Sequence, residues 1–139
     1  FELEQALIDD QLRVVDLPQA WQEKYQQYLG ITPPNDADGV LQDIHWSAGL
    51  IGYFATYSLG NLYAAQFFQQ ADADIGGLAE SFAQGEFHVL GEWLRNNIHQ
   101  RGQCHTPAEL VEMITGRKLR CDALIQYLRD KARPLYGLS

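Results

Sequence analysis

A chain of 139 residues has room for one hydrophobic core, and 46% hydrophobic with 20% charged residues is the composition of an ordinary globular domain. Its charge is uneven: residues 1–94 carry 14 Asp and Glu against Arg13 and Lys24 (net −12), residues 95–139 carry 4 against 8 basic residues (net +4), and the two sum to −8. Such an acidic surface argues against nucleic acid as a partner, because phosphate binding needs clustered Lys and Arg to release counterions. Cys104 and Cys121 are too few for a disulfide framework, and with no leader pattern in view the chain reads as cytoplasmic.

The chain reads as a single helical domain over residues 1–139, and its opening, Phe1-Glu2-Leu3-Glu4, lacks both an initiator Met and a capping residue. That start is expected to be a cut through a longer protein. Leu3, Ala6, Leu7 and Val14 recur at helical spacing with acids on the other side, which predicts an amphipathic helix. Asp16 followed by Leu17-Pro18-Gln19 marks a second helix start, and Gly30 ends it after Leu29, so residues 1–30 form a helical hairpin. Residues 31–46 form a loop, since Pro33, Pro34 and a run of turn formers block a helix.

Residues 47–71 are apolar on nearly every side and predict a central buried helix. Thr56, Ser58, Asn61 and Gln66 within the run, and the lack of flanking basic clusters, argue against a membrane span. One line of spacing four along it holds only small residues, Ala48, Gly52, Thr56, Gly60 and Ala64, and the neighbouring line holds His45, Gly49, Tyr53, Tyr57 and Asn61. Residues 75–139 read as further helices: Ile75 to Phe82, Phe87 to His99, a capped helix from Thr106-Pro107-Ala108-Glu109 to Gly116, and Asp122 to Arg133 ended by Pro134 and Gly137. No convincing strand is present, so the fold class is all-α.

Chemistry concentrates where the loop meets the apolar run. Histidine moves a proton near neutral pH, and a tyrosine phenol can aim a donor at developing negative charge. An uninterrupted helix would hold His45 and Tyr57 roughly 18 Å apart at 1.5 Å per residue, too far for one reacting group. Either the backbone breaks around Gly49 and Gly52, or Tyr53 rather than Tyr57 works with His45. A buried His–Tyr pair satisfied by backbone partners is the competing structural explanation.

Gly39, Gln42, Asp43, His45 and Trp46 fill every fixed position of a Gly-x-x-Gln-Asp-x-His-Trp signature, and through it the chain resembles the carboxypeptidase Taq family of metallocarboxypeptidases. The similarity runs on through Tyr53 to Gln66, the Thr106 cap region and the Leu135-Tyr136-Gly137-Leu138 ending. The resemblance implies a multi-helix C-terminal domain of a larger, helical, zincin-like peptidase. Such an enzyme is cytoplasmic and homodimeric, uses zinc, and removes C-terminal amino acids from peptide substrates. It implies that His45 and a tyrosine stabilise the tetrahedral oxyanion, and related helical zinc peptidases with a Tyr twelve residues after the His favour Tyr57 over Tyr53. Gln42 and Asp43 are expected to bind or position substrate or to orient His45, with capping of the next helix as the alternative; Trp46 is expected to pack.

One part of the pattern is missing. Hydrolysis of this type needs His-Glu-x-x-His, whereas His45, His88, His99 and His105 are followed by Trp, Val, Gln and Thr. The chain therefore reads as a C-terminal fragment that depends on the remainder of the same polypeptide for its zinc ligands. No metal is expected bound to this fragment, and it is expected to be inactive alone. His99, Cys104, His105 and Cys121 have ligand chemistry but not a standard zinc spacing, and the paired acids Asp9–Asp10 and Asp72–Asp74 read as solvated helix ends. The reading of a different class is a non-catalytic helical protein-interaction domain.

Overall fold

The computed structural model describes residues 1–138, and among them every regular element is helical. The α-helices are α1 (Glu2–Ile8), α2 (Leu17–Leu29), α3 (Ile44–Ser47), α4 (Ala55–Ile75), α5 (Leu78–Ala83), α6 (His88–Asn97), α7 (Pro107–Thr115) and α8 (Asp122–Tyr136). Single 3-10 turns lie at Val14–Asp16, Val40–Gln42 and His99–Arg101. Among the described residues no helix is long and apolar enough to cross a membrane. The chain divides into two compact units, one of residues 1–58 and one from Leu59 on.

In the first unit, α1 is shorter than its apolar pattern suggests. The chain leaves the helix after Ile8 because Asp10 takes the left-handed conformation (φ 55°), which lets Gln11 N–H and Leu12 N–H both donate to the Ala6 carbonyl at 2.8 and 3.0 Å. The second helix keeps its expected limits, closed by Gly30 at φ 69°. Asp16 does not cap it through its side chain; the Arg13 guanidinium takes that carboxylate at 2.6 and 3.0 Å and holds it below the usual carboxylate range. Helices α1 and α2 are joined by Tyr28 Oη donating to Glu2 at 2.8 Å and by a Lys24–Glu2 ion pair.

The expected helix over 47–71 is corrected in its start. Its regular part begins at Ala55 and continues to Ile75, with a short separate helix, α3, before it. The break has a local cause: Gly49 sits at φ 72° and Gly52 at φ 82°, conformations that end a right-handed helix. Gly49 N–H donates to the Trp46 carbonyl at 3.0 Å and Leu50 N–H to that of His45 at 2.8 Å, the pair of bonds that closes a helix on a left-handed residue. Gln66 and Ala71 of α4 are buried, Leu62, Tyr63, Phe67 and Ile75 are half-buried, and Tyr57, Leu59 and Phe68 are exposed. The line of small residues is interrupted too, because Ala48 and Gly52 precede the helix.

The second unit builds its core from Ala71, Leu78 and Trp93, with Phe67, Ile75, Phe82, Val89, Leu90, Leu94, Ile98 and Ile114 packed against them. Trp93 keeps its indole N–H satisfied by donating to Asp74 at 2.8 Å. Buried Gln66 receives Arg120 N–H at 3.0 Å and donates to Thr115 Oγ1 at 3.0 Å, fixing the segment between α7 and α8 to α4. Helix α7 carries the full capping box of Thr106 and Glu109, and the Thr106 N–H holds the Glu109 carboxyl below its usual range. Helix α8 runs past Pro134 to Tyr136, beyond the expected stop. Proline removes one backbone donor near a helix end, and Gly137 (φ 61°) closes the last turn by bonding Arg133.

Candidate active site

The site lies wholly in the first unit and begins with a tight loop. Gly39, Val40 and Pro33 are buried, and a Cβ on Gly39 would meet the Asn35 carbonyl oxygen at 3.0 Å and Pro33 Cβ at 3.1 Å. That close approach is the physical need for glycine at the head of the signature. Gln42 uses its side-chain amide to bond the Ala37 carbonyl, so this exposed residue fastens the loop across five residues.

Asp43 does two things at once. Its Oδ1 accepts the His45 backbone N–H at 3.0 Å, capping α3, and accepts from His45 Nδ1 at 2.8 Å. A carboxylate only accepts, so the shared proton sits on Nδ1 and Nε2 is left to act outward. Both side chains are well covered, 8% exposed for Asp43 and 15% for His45, so the imidazole is fixed in orientation.

The break at Gly49 and Gly52 folds the chain back and brings three aromatic rings onto His45. Tyr53 stacks on it with ring centroids 5.5 Å apart and planes at 27°. Tyr57, from the first turn of α4, lies 5.9 Å away at 60°, and Phe54 meets it edge-on at 5.4 Å. Tyr53 and Tyr57 are themselves 5.7 Å apart and near perpendicular. Both tyrosines remain about half exposed, at 47% and 54%, so the cluster opens outward from a covered histidine. The condition set by helix geometry for a His45–Tyr57 partnership is thus met, and both tyrosines gather at the same ring.

Two residues of this cluster were not legible as such. Phe54 carries no polar handle to single it out. Glu4 read as one of the solvated acids of the first helix, but it is buried at 3% exposure, and its Oε1 accepts both Trp46 Nε1–H at 3.0 Å and Gly52 N–H at 2.8 Å. Its sequence signal is slight: it flanks the apolar stripe one turn ahead of Leu7 and Ile8. Trp46 packs as expected, edge-on to Trp21 at 5.7 Å, and also donates to that carboxylate. Among the described residues no group of three His, Cys, Asp or Glu gathers as a bound metal requires.

The all-helical fold is that of metallocarboxypeptidases. The crystal structure of the M32 carboxypeptidase from Deinococcus radiodurans R1 matches 99% of this chain with a TM-score of 0.93 at 44% identity, the match covering 28% of that protein. Metallocarboxypeptidase 1 of Trypanosoma cruzi matches 95% of the chain with a TM-score of 0.90 at 33% identity, covering 28% of that protein. The carboxypeptidase Taq (M32) metallopeptidase family pattern matches residues 1–132, and the chain belongs to this family. In sequence it is 50% identical to thermostable carboxypeptidase 1 of Thermus thermophilus over 98% of its length, and 42% identical to carboxypeptidase 1 of Bacillus subtilis over 99%. It spans about a quarter of the length of these relatives, 27% and 28% respectively. The family is one of metal-dependent enzymes, and the residues described here do not themselves fit a metal.

Proposed function

We propose that this chain supplies the carbonyl-binding wall of a zinc-dependent carboxypeptidase that releases C-terminal amino acids from peptides. Tyr57, and His45 through Nε2 when its imidazole carries a second proton beside the one Asp43 holds on Nδ1, donate hydrogen bonds to the scissile carbonyl oxygen and to the oxyanion it becomes, where preorganised donors are most effective. Tyr53 covers the face of the imidazole and joins the same donor set. Gln42 and Asp43, expected from sequence to contact substrate, serve in this reading as positioning residues, Gln42 through the loop and Asp43 through His45. The observation that carries the reading is the convergence of both phenol rings, each within 6 Å by centroid, on a histidine already held by a carboxylate.

Zinc belongs in this proposal to other residues of a longer enzyme, and no step assigned here passes through it. The homodimer and cytoplasmic setting implied by the resemblance are part of the same reading, as is inactivity of the 139-residue chain by itself. In the longer enzyme, His45→Ala is expected to lower kcat about 100-fold on an amino-blocked dipeptide, the scale of losing one oxyanion donor, with metal content unchanged. Wild-type turnover in that variant would refute the assignment. It would favour a non-catalytic interaction domain, a reading supported by the exposed Leu41, Ile44 and Ile51.

A further inference from the structure

We propose that Glu4 is a positioning residue for this site, acting through the turn that seats Tyr53 and Tyr57 against His45. The inference rests on the proposed role of His45. One oxygen, Glu4 Oε1, accepts the indole N–H of Trp46 at 3.0 Å and the backbone N–H of Gly52 at 2.8 Å. Trp46 directly follows His45 and Gly52 directly precedes Tyr53, so a single buried acceptor ties together the neighbours of the two rings that stack at 5.5 Å.

The turn has few other restraints. Its two left-handed glycines meet nothing within 4 Å of where a Cβ would stand, so side-chain packing does not fix their place. The remaining restraints are local backbone bonds, among them Leu50 N–H on the His45 carbonyl, Tyr53 N–H on that of Leu50 at 3.2 Å and Thr56 N–H on that of Tyr53. The Gly52 N–H is held by Glu4 across 48 residues of sequence. Removing the acceptor leaves two donors unsatisfied and frees the turn to move Tyr53 and Tyr57 off the imidazole. Small displacements of this kind reduce turnover more than binding.

The test compares Glu4→Met, which keeps the length and removes both acceptor bonds, with Glu4→Gln, whose amide oxygen can accept both donors, in the longer enzyme. Glu4→Met is expected to lower kcat about tenfold with KM within about twofold and metal content unchanged, and Glu4→Gln to stay within about threefold of wild type. A Glu4→Met enzyme of wild-type kcat, or a Glu4→Gln enzyme as impaired as Glu4→Met, overturns the proposal. If Glu4→Met does not fold, Trp46→Phe decides: a kcat loss of about threefold or more at unchanged KM supports the clamp, and unchanged kcat refutes it. His45→Ala measured alongside separates the two readings. Its inactivity together with a fully active Glu4→Met enzyme rejects Glu4 alone, whereas full activity of His45→Ala rejects the site itself.

Discussion

At the scale of single residues, the most consequential interaction is the one from Asp43 to His45. Because one oxygen both caps α3 and holds Nδ1, the same carboxylate that starts the helix fixes the tautomer of its histidine. Asp43→Ala should therefore have two separable effects. Loss of the cap is expected to cost about 1 kcal/mol of stability, seen as a shifted denaturant midpoint. Loss of the imidazole's orientation is expected to lower kcat about tenfold or more beyond that, seen in turnover at saturating substrate. A variant that loses stability and keeps kcat would make Asp43 a cap and nothing else. His45, Tyr53, Tyr57, Gln42 and Asp43 were all visible in the signature and its spacing. That both tyrosines reach the imidazole was not, because it depends on the φ angles of Gly49 and Gly52, and a glycine in sequence permits a left-handed turn without requiring it. Glu4 was hidden for a different reason. Polarity on a helix flank reads as solvation, and only the tertiary fold reveals the two donors that Oε1 accepts.

At the scale of elements, the site is made by a helix that stops. Had residues 47–71 formed one continuous helix, His45 and Tyr57 would stand roughly 18 Å apart along its axis; the actual ring separation is 5.9 Å. The closure of α3 on Gly49 is thus part of the site's construction. Gly49→Ala places a Cβ in open space but at φ 72°, so its cost is conformational, on the order of 1 to 2 kcal/mol. We expect a lower thermal midpoint, measurable by calorimetry, and a lower kcat as the turn relaxes; an unchanged midpoint would show that the turn is not strained by an L side chain. Elements with strong end signals were legible to the residue: α2 ending at Gly30, and α7 between Thr106 and Gly116. Elements lacking them were not. The apolar run gave no boundary because its break lies in two glycines among small residues, and Pro134 was over-read because a proline close to a helix end removes little.

At the scale of the molecule, the chain divides into two units, and the catalytic proposal draws on residues 1–58 alone. The all-helical class was legible because no stretch alternates as a strand does and several carry the helical period. The second unit's core around Trp93 follows from the stripe Val89, Leu90, Trp93, Leu94 and Ile98. The division itself was not legible, since composition does not change where it falls, after Ser58. In the proposed function, His45 of the first unit recognises the transition state more strongly than the bound substrate. The direct measurement is inhibitor affinity in the longer enzyme and in its His45→Ala variant, comparing a phosphinic dipeptide, which mimics the tetrahedral intermediate, with a ground-state competitor carrying the same side chains. The variant is expected to bind the phosphinic mimic about 100-fold more weakly and the competitor within about threefold of wild type. Equal losses for both, or no loss for the mimic, would contradict it.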